Sequence, residues 1–291
     1  MIKKKLIKNA NKVDKFLINY LKKQKNSLLI KPMKYGVISG GKKIRSTIIF
    51  DFGKIFKLNE KQLINICAAV ECIHSYSLIH DDLPCMDNDK IRRGKPSTHI
   101  KFGEASAVLA GSSLLTLAFE IIAEKKYLIN SKMKNEIIKS LASCSGHTGI
   151  AGGQELDLKF ENKKKKINQI IDMQKKKTGK LFNFCLFAVG VIANKTKNQK
   201  KLLSNLGEEI GLLFQLADDF LDKRGSKQLI GKPVKKDNKK GKSTLLNLLG
   251  EKKAYLYANN LKKKILLKLK KHGKKAKDIT STIEFILERK F

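Results

Sequence analysis

The sequence predicts an all-α protein. Helical periodicity recurs along the chain, few segments alternate apolar and polar residues at period two, and β-hairpin dipeptides are missing. Over residues 63–79, the side chains Leu63, Ile66, Cys67, Val70, Ile73 and Ser77 fall on one stripe at three- and four-residue steps. Leu202, Leu206, Ile210, Leu213, Phe214 and Ala217 repeat the pattern over 202–221. Taken in chain order, further helices are expected over 13–24, 45–56, 105–122, 135–144, 167–177, 181–193, 244–249, 252–271 and 280–288. Pro32, Gly40-Gly41, Gly94-Lys95-Pro96, Gly152-Gly153 and the stretches 194–198 and 225–241 are read as breaks between them. No solenoid repeat and no dividing linker appear. The expectation is a single domain over residues 1–291, built from ten or more helices.

Composition removes several classes. The chain has 291 residues, 62 Lys+Arg against 26 Asp+Glu, a formal net charge of +36 and 42% hydrophobic residues. That apolar content is too high for a disordered chain, and four prolines with 20 glycines exclude a collagen-like one. The charge invites a nucleic-acid reading. Yet all but five of the 62 basic residues are lysines, the arginines being Arg45, Arg92, Arg93, Arg224 and Arg289. Arginine is the residue favoured for bidentate phosphate and base contacts, and no stacking aromatics interleave the basic runs. The excess therefore reads as a lysine background, and no nucleic-acid partner is expected.

Five scattered cysteines with no CxxC pair point to a reducing compartment, the cytoplasm. The basic start lacks the apolar run of a secretory signal. No unbroken run reaches the ~18 apolar residues that span a bilayer, so no transmembrane segment is expected. The nearest stretches, 105–119 and 181–193, read as buried helices.

Acidic residues are scarce, which makes their clustering informative. One cluster is HDDLPCMDND (residues 80–89), and the other is DDFLD (residues 218–222). Each follows a strongly apolar helical stretch. Asp218 and Asp222 are four apart and share one helix face. Like charges so placed repel, and at the end of a buried helix a cation relieves the cost. Mg²⁺ suits a site of few carboxylates completed by substrate phosphates. An EF-hand does not fit, because the glycine and glutamate its loop requires are missing. Cations cluster nearby. Gly40-Gly41-Lys42-Lys43-Ile44-Arg45 sets basic residues beside a flexible turn, and Arg92-Arg93-Gly94 follows the first cluster directly. Three of the five arginines thus lie in two short motifs. Together the clusters suggest a site for two diphosphates, one bridged by metal and one held by Lys and Arg.

These residues resemble the trans-polyprenyl diphosphate synthases over nearly the whole chain. The resemblance runs through YGVISGGKKIR (35–45), AAVECIHSYSLIHDDLPCMDND (68–89), RRGKPSTHIKFGEA (92–105), AGGQELDL (151–158), KKTG (176–179), GLLFQLADDFLD (211–222) and GKSTLLNLLG (241–250). It implies the isoprenoid synthase fold, a helical bundle around a central cavity, and a homodimer. It also implies three Mg²⁺ ions, held by Asp81 and Asp87 with Asp82 in support, and by Asp218 with Asp219 and Asp222 in support. Lys42, Arg45, His74 and Arg93 match positions that hold isopentenyl diphosphate. Arg92, Lys177, Thr178, Gln215, Lys232 and Lys242 match contacts to the allylic diphosphate. Asp81, Asp82, Asp87, Lys177, Gln215 and Asp218 carry the catalytic expectation.

The chemistry implied is a head-to-tail prenyl transfer with no protein nucleophile. Tyr76, five residues before Asp81, corresponds to the family's aromatic floor, and the small Ser77 leaves room for two condensations. The two-residue insertion Pro84-Cys85 is the variant of the family's bacterial farnesyl members. The expected product is farnesyl diphosphate, made from dimethylallyl through geranyl diphosphate; geranyl or geranylgeranyl diphosphate is the alternative. Ser46, Asn88, Ala217, Lys223, Arg224, Leu245 and Leu246 depart from the family's usual residues, and none of them is an expected metal ligand. A non-enzymatic polyanion binder and an inactive partner subunit are the rival classes.

Overall fold

The computed structural model describes residues 2–24, 26–38, 40–224 and 242–288. Helix α1 (Ile2–Lys22) is amphipathic, and Leu6, Ala10, Val13, Leu17 and Leu21 form its buried stripe. Then follow α2 (Ile30–Ile38), α3 (Ile44–Ile55) and α4 (Glu60–Asp81). A minimal hairpin, β1 (Ile91–Arg92) with β2 (Lys95–Pro96), leads to α5 (Thr98–Phe102) and α6 (Glu104–Ala123). Next come α7 (Ser131–Ser145), α8 (Ile150–Phe160) and α9 (Ile167–Gln174). A π-helical turn (Lys175–Gly179) joins α9 to α10 (Lys180–Ile192). The chain continues through α11 (Lys197–Arg224), α12 (Leu245–Leu249) and α13 (Glu251–Leu269). A 3₁₀ segment (Lys270–Ala276) leads into α14 (Lys277–Glu288).

Two helices sit at the centre. In α4, Ile66, Cys67, Ala68, Ala69, Val70, Cys72 and Ile73 are all fully buried, so the helix is covered on every side. In α10, Phe182, Phe184, Cys185, Leu186, Ala188 and Val189 are likewise fully buried. Helix α10 packs on α11, α7 and α3, while α4 packs on α6 and α3. Each fully buried Ile or Phe contributes about 1.5–3 kcal/mol. Asn59 caps α4: its side chain accepts from the Lys61 amide at 3.0 Å, and the Gln62 side-chain Oε1 accepts from the Asn59 amide at 3.1 Å.

The all-α expectation holds, and three details differ. Pro32, a break by sequence, lies in the first turn of α2, where a missing N–H costs nothing. Gly152-Gly153, likewise a break by sequence, lies inside α8. A Cβ on Gly153 would stand 2.1 Å from the Lys177 backbone nitrogen, so this helix needs glycine to touch the π turn. The hairpin has no Asn-Gly signal. Its two-residue loop uses Arg93 (φ 53°) and Gly94 (φ 74°), both left-handed, as the tightest hairpin turns require.

Among the described residues, α4 and α6 are long and apolar enough to cross a membrane by length and mean hydropathy, although neither is an unbroken apolar run. Helix α4 is the covered central helix.

Candidate active site

One cavity of about 380 Å³ opens where helix ends converge. Helix α4 ends at it with His74, Ser77, Leu78 and Asp81; Asp87 and Asp89 come from the loop that follows. From the opposite wall, α11 contributes Phe214, Gln215, Asp218, Asp219 and Asp222. The N-terminus of α3 adds Arg45, the hairpin adds Arg92 and Arg93, and the π turn adds Lys177 and Thr178. Lys242, just before α12, completes the lining. The two aspartate clusters therefore share one cavity, as their sequence context implied.

The carboxylates have unequal surroundings. Burial, and Asp87 nearby, raise the Asp81 carboxyl to about 6, although Lys177 pulls the other way. Asp82 is buried and accepts from Arg92 Nε at 3.0 and 3.2 Å and from the other end of the same guanidinium. Arg92 also reaches Asp89 at 3.4 Å. Asp82 thus lies behind the cavity wall and fixes Arg92. Across the cavity, Asp219 is tethered: Gln215 Nε2 donates to one oxygen at 2.8 Å and Gln174 Nε2 to the other at 3.0 Å. Thr178 Oγ1 donates to Gln215 Oε1 at 2.7 Å, which links the π turn to α11.

Glycines make this junction possible. A Cβ on Gly211 would lie 2.7 Å from the Gly179 Cα. A π turn at such a place re-aims side chains, here Lys177 and Thr178.

Asp157 organises the cationic side. Its carboxylate accepts from Lys177 Nζ at 2.7 Å and from Lys242 Nζ at 3.2 Å. Burial alone would raise its pKa, but the two ammonium groups hold it below the usual carboxylate range. Lys242 also donates to Asp87 at 3.0 Å. The sequence reading assigned no role to Asp157, although it stands in the AGGQELDL motif as a scarce acid.

Arg45 stacks its guanidinium 4.7 Å from the Phe182 ring centroid and 5.5 Å from Phe214. Arg93 donates to the Gly40 carbonyl at 2.6 Å, over a turn so close that a Cβ on Gly41 would meet its Cζ at 2.9 Å. His74 faces the cavity; burial first, then Arg45 and Arg93, hold its imidazole far below its ordinary pKa, so it stays neutral.

Two further expected residues stand away from this cavity. Lys42 does not line the cavity, and its ammonium lies 5.6 Å from the Phe285 ring on α14. Lys43, next to it, takes the left-handed cap of α3 (φ 41°). Tyr76 is also absent from the lining: its hydroxyl donates to the Ser145 carbonyl at 3.3 Å, bracing α4 against α7. Lys232 lies outside the described residues.

Among the described residues, no three carboxylate, imidazole or thiol groups converge closely enough to ligate one ion unaided. The donor set nevertheless fits a hard cation. Asp81, with its raised pKa, and Asp87 face Asp218 and Asp222 across the cavity, all with oxygen donors. Such a set suits Mg²⁺ completed by phosphate oxygens.

A helical bundle with acidic helix ends and basic side chains around one polar cavity suits a protein that handles diphosphates with a hard cation. The family model for polyprenyl synthetase matches residues 26–286, and the chain belongs to that family. It is 39% identical to the farnesyl diphosphate synthase of Escherichia coli (strain K12) over 90% of this chain and 88% of that one. A solved FPP/GFPP synthase from Zymomonas mobilis superposes with a TM-score of 0.88, at 35% identity, covering 98% of both chains. The geranyltransferase of Helicobacter pylori, solved with magnesium and isoprenyl diphosphate, gives 0.83 at 31% identity, covering 98% of this chain and 96% of that one.

Proposed function

We propose that this chain is a magnesium-dependent short-chain trans-prenyltransferase. It joins isopentenyl diphosphate to dimethylallyl and then geranyl diphosphate, and it releases farnesyl diphosphate and diphosphate. The observation that carries the reading is the meeting of Asp81 and Asp87 with Asp218, Asp219 and Asp222 around one cavity also lined by Arg45, Arg93, Lys177 and Lys242.

Asp81, Asp87 and Asp218 hold the magnesium ions, three in this reading, and Asp219 and Asp222 support them. Bound there, the ions supply the positive charge that stabilises a departing diphosphate. Lys177 and Lys242 exchange Asp157 for the phosphate oxygens of the allylic substrate. Arg45, His74 and Arg93 hold the second diphosphate. The allylic C–O bond breaks and its electrons leave with the diphosphate. The isopentenyl double bond then forms the new C–C bond, and a proton passes to the departed diphosphate. Thr178 and Gln215, locked to each other, place oxygen dipoles beside the cation. Asp82 acts through Arg92. The half-apolar wall keeps water from the cation.

Tyr76, about 7.5 Å below Asp81 along α4, limits product length by bracing the space towards α7. Two further features fit the wider reading. The exposed Val108 and Leu109 on α6 suit a homodimer face, and the absence of any disulfide among Cys67, Cys72, Cys85, Cys144 and Cys185 suits the cytoplasm.

Incubation of the purified chain with labelled isopentenyl diphosphate, dimethylallyl diphosphate and Mg²⁺ tests this directly. A fifteen-carbon product is expected, with none from Asp81→Ala. No prenyl product from the unaltered chain, or full activity in Asp81→Ala, overturns the reading. Tyr76→Ala is expected to give longer chains, and an unchanged product length removes Tyr76 from that role.

A further inference from the structure

A second cleft, of about 540 Å³, lies at the far end of the bundle. One wall is apolar: Phe56 after α3, with Leu202, Leu203 and Leu206 on α11. Leu203 and Leu206 are 8% and 6% exposed, whereas Leu202 is 61% exposed. The rim is cationic, with Lys195 from the α10–α11 connection, Lys268 at the end of α13, and Lys271 beside His272 in the 3₁₀ segment. Among the described residues, no acidic one lines it. From Leu202 to Asp218 the helix α11 rises about 24 Å, so this cleft is distinct from the aspartate cavity.

The cations are aimed and not merely present. Asn194, left-handed at φ 50°, turns the chain so that Lys195 Nζ stands 4.6 Å from the Phe56 ring centroid. His272 meets the same ring edge-on at 6.0 Å. Lys268 is paired with Glu209 at 2.7 Å, but among the described residues neither Lys195 nor Lys271 meets a carboxylate. The local field is positive enough to register on the imidazole: burial, then Lys271, Lys195 and Lys275, lower the His272 pKa.

We propose that this cleft binds a single-chain amphipathic anion, with an alkyl or isoprenyl tail on Phe56 and the α11 leucines and a phosphate or carboxylate head between Lys195 and Lys271. The occupant follows from the two halves of the wall. A bare polyanion would leave the exposed Leu202 and the half-buried Phe56 wet, and a neutral lipid would leave two ammonium groups without a counter-charge. The volume falls within the range of about 300–1,000 Å³ typical of small-molecule sites.

Calorimetric titration of the full chain with dodecyl phosphate and with dodecanoate, below their micelle concentrations, tests the proposal. The aspartate cavity is first saturated with Mg²⁺, inorganic diphosphate and isopentenyl diphosphate. One equivalent of probe is expected to bind still, whereas inorganic phosphate alone does not. Tighter binding of dodecyl phosphate points to isoprenyl or alkyl phosphates as the source, and tighter binding of dodecanoate to fatty acids. Lys195→Glu with Lys271→Glu is expected to weaken binding by roughly tenfold or more. Leu202→Asp, at an exposed position, does so without touching the rim. Both variants keep basal prenyl transfer. On binding, the His272 resonances report a raised pKa. Loss of the probe on saturating the aspartate cavity, unchanged affinity in the variants, or equal binding of inorganic phosphate overturns the proposal.

Discussion

Asp157 holds two ammonium groups of the active cavity at once, Lys177 at 2.7 Å and Lys242 at 3.2 Å. Asp157→Asn leaves both cations without that counter-charge, and removing one partner of a largely buried pair costs about 1–3 kcal/mol. A lower denaturation midpoint is expected, and inorganic diphosphate with Mg²⁺ should narrow the gap, because it replaces the missing charge. A gap of the same size with ligand present would show that the pair has no tie to the diphosphate site. His74 gives a signed pH effect. Its pKa in the folded protein lies well below the ordinary 6.5, so below that pH the unfolded chain takes up a proton that the folded one refuses. Stability therefore falls as pH drops beneath 6.5, by at most about 1.4 kcal/mol per pH unit for one such group. His74→Gln should flatten the fall between pH 6.5 and 5.5 in urea titrations, and an identical slope in the variant would refute it.

At the scale of elements, close approach of backbones decides where Lys177 stands. Helix α8 touches the π turn through Gly153, and the modest ~1 kcal/mol cost of glycine in a helix is outweighed by that contact. Gly153→Ala drives a methyl into the Lys177 backbone and should cost about 1–3 kcal/mol, with a loss of prenyl transfer larger than the loss of folded protein. Parallel melting and turnover measurements check this, and normal turnover in the variant would sink the argument. The same glycine shows what the sequence could and could not tell. Helices α4 and α11 were legible because their apolar stripes repeat over several turns. The aspartate clusters were legible because acids are rare in this chain. Helix α8 was not, because its paired glycines read as a break until their partner is known. Asp157 was missed for a similar reason: its partners lie 20 and 85 residues away. Lys42 reads as a site residue from its motif alone, and its place beside Phe285 on α14 depends on a helix more than 200 residues away in the chain.

For the whole molecule, the net charge of +36 has to be reconciled with a cavity that gathers carboxylates. Lysines dominate the surface, yet near the site they are spent on carboxylates, Lys177 and Lys242 on Asp157 and Asp87. Mg²⁺ alone therefore meets a site whose anions are partly neutralised, where no three described ligands converge on one ion. Diphosphate alone meets cations already paired. Each ligand supplies what the other lacks, so binding should be strongly cooperative, and the coupling is reciprocal by linkage. Thermal unfolding measures this. Mg²⁺ or inorganic diphosphate added singly should move the midpoint little. Added together at a hundredfold excess over the joint Kd, they should stabilise the fold by about 2.7 kcal/mol, a rise of several degrees. Chelation of the metal should return the midpoint to its starting value. A full shift from Mg²⁺ alone would mean that the protein holds the metal without substrate. That result would place the ion in a preformed carboxylate cage and contradict the arrangement of Asp81, Asp87 and Asp218 described above.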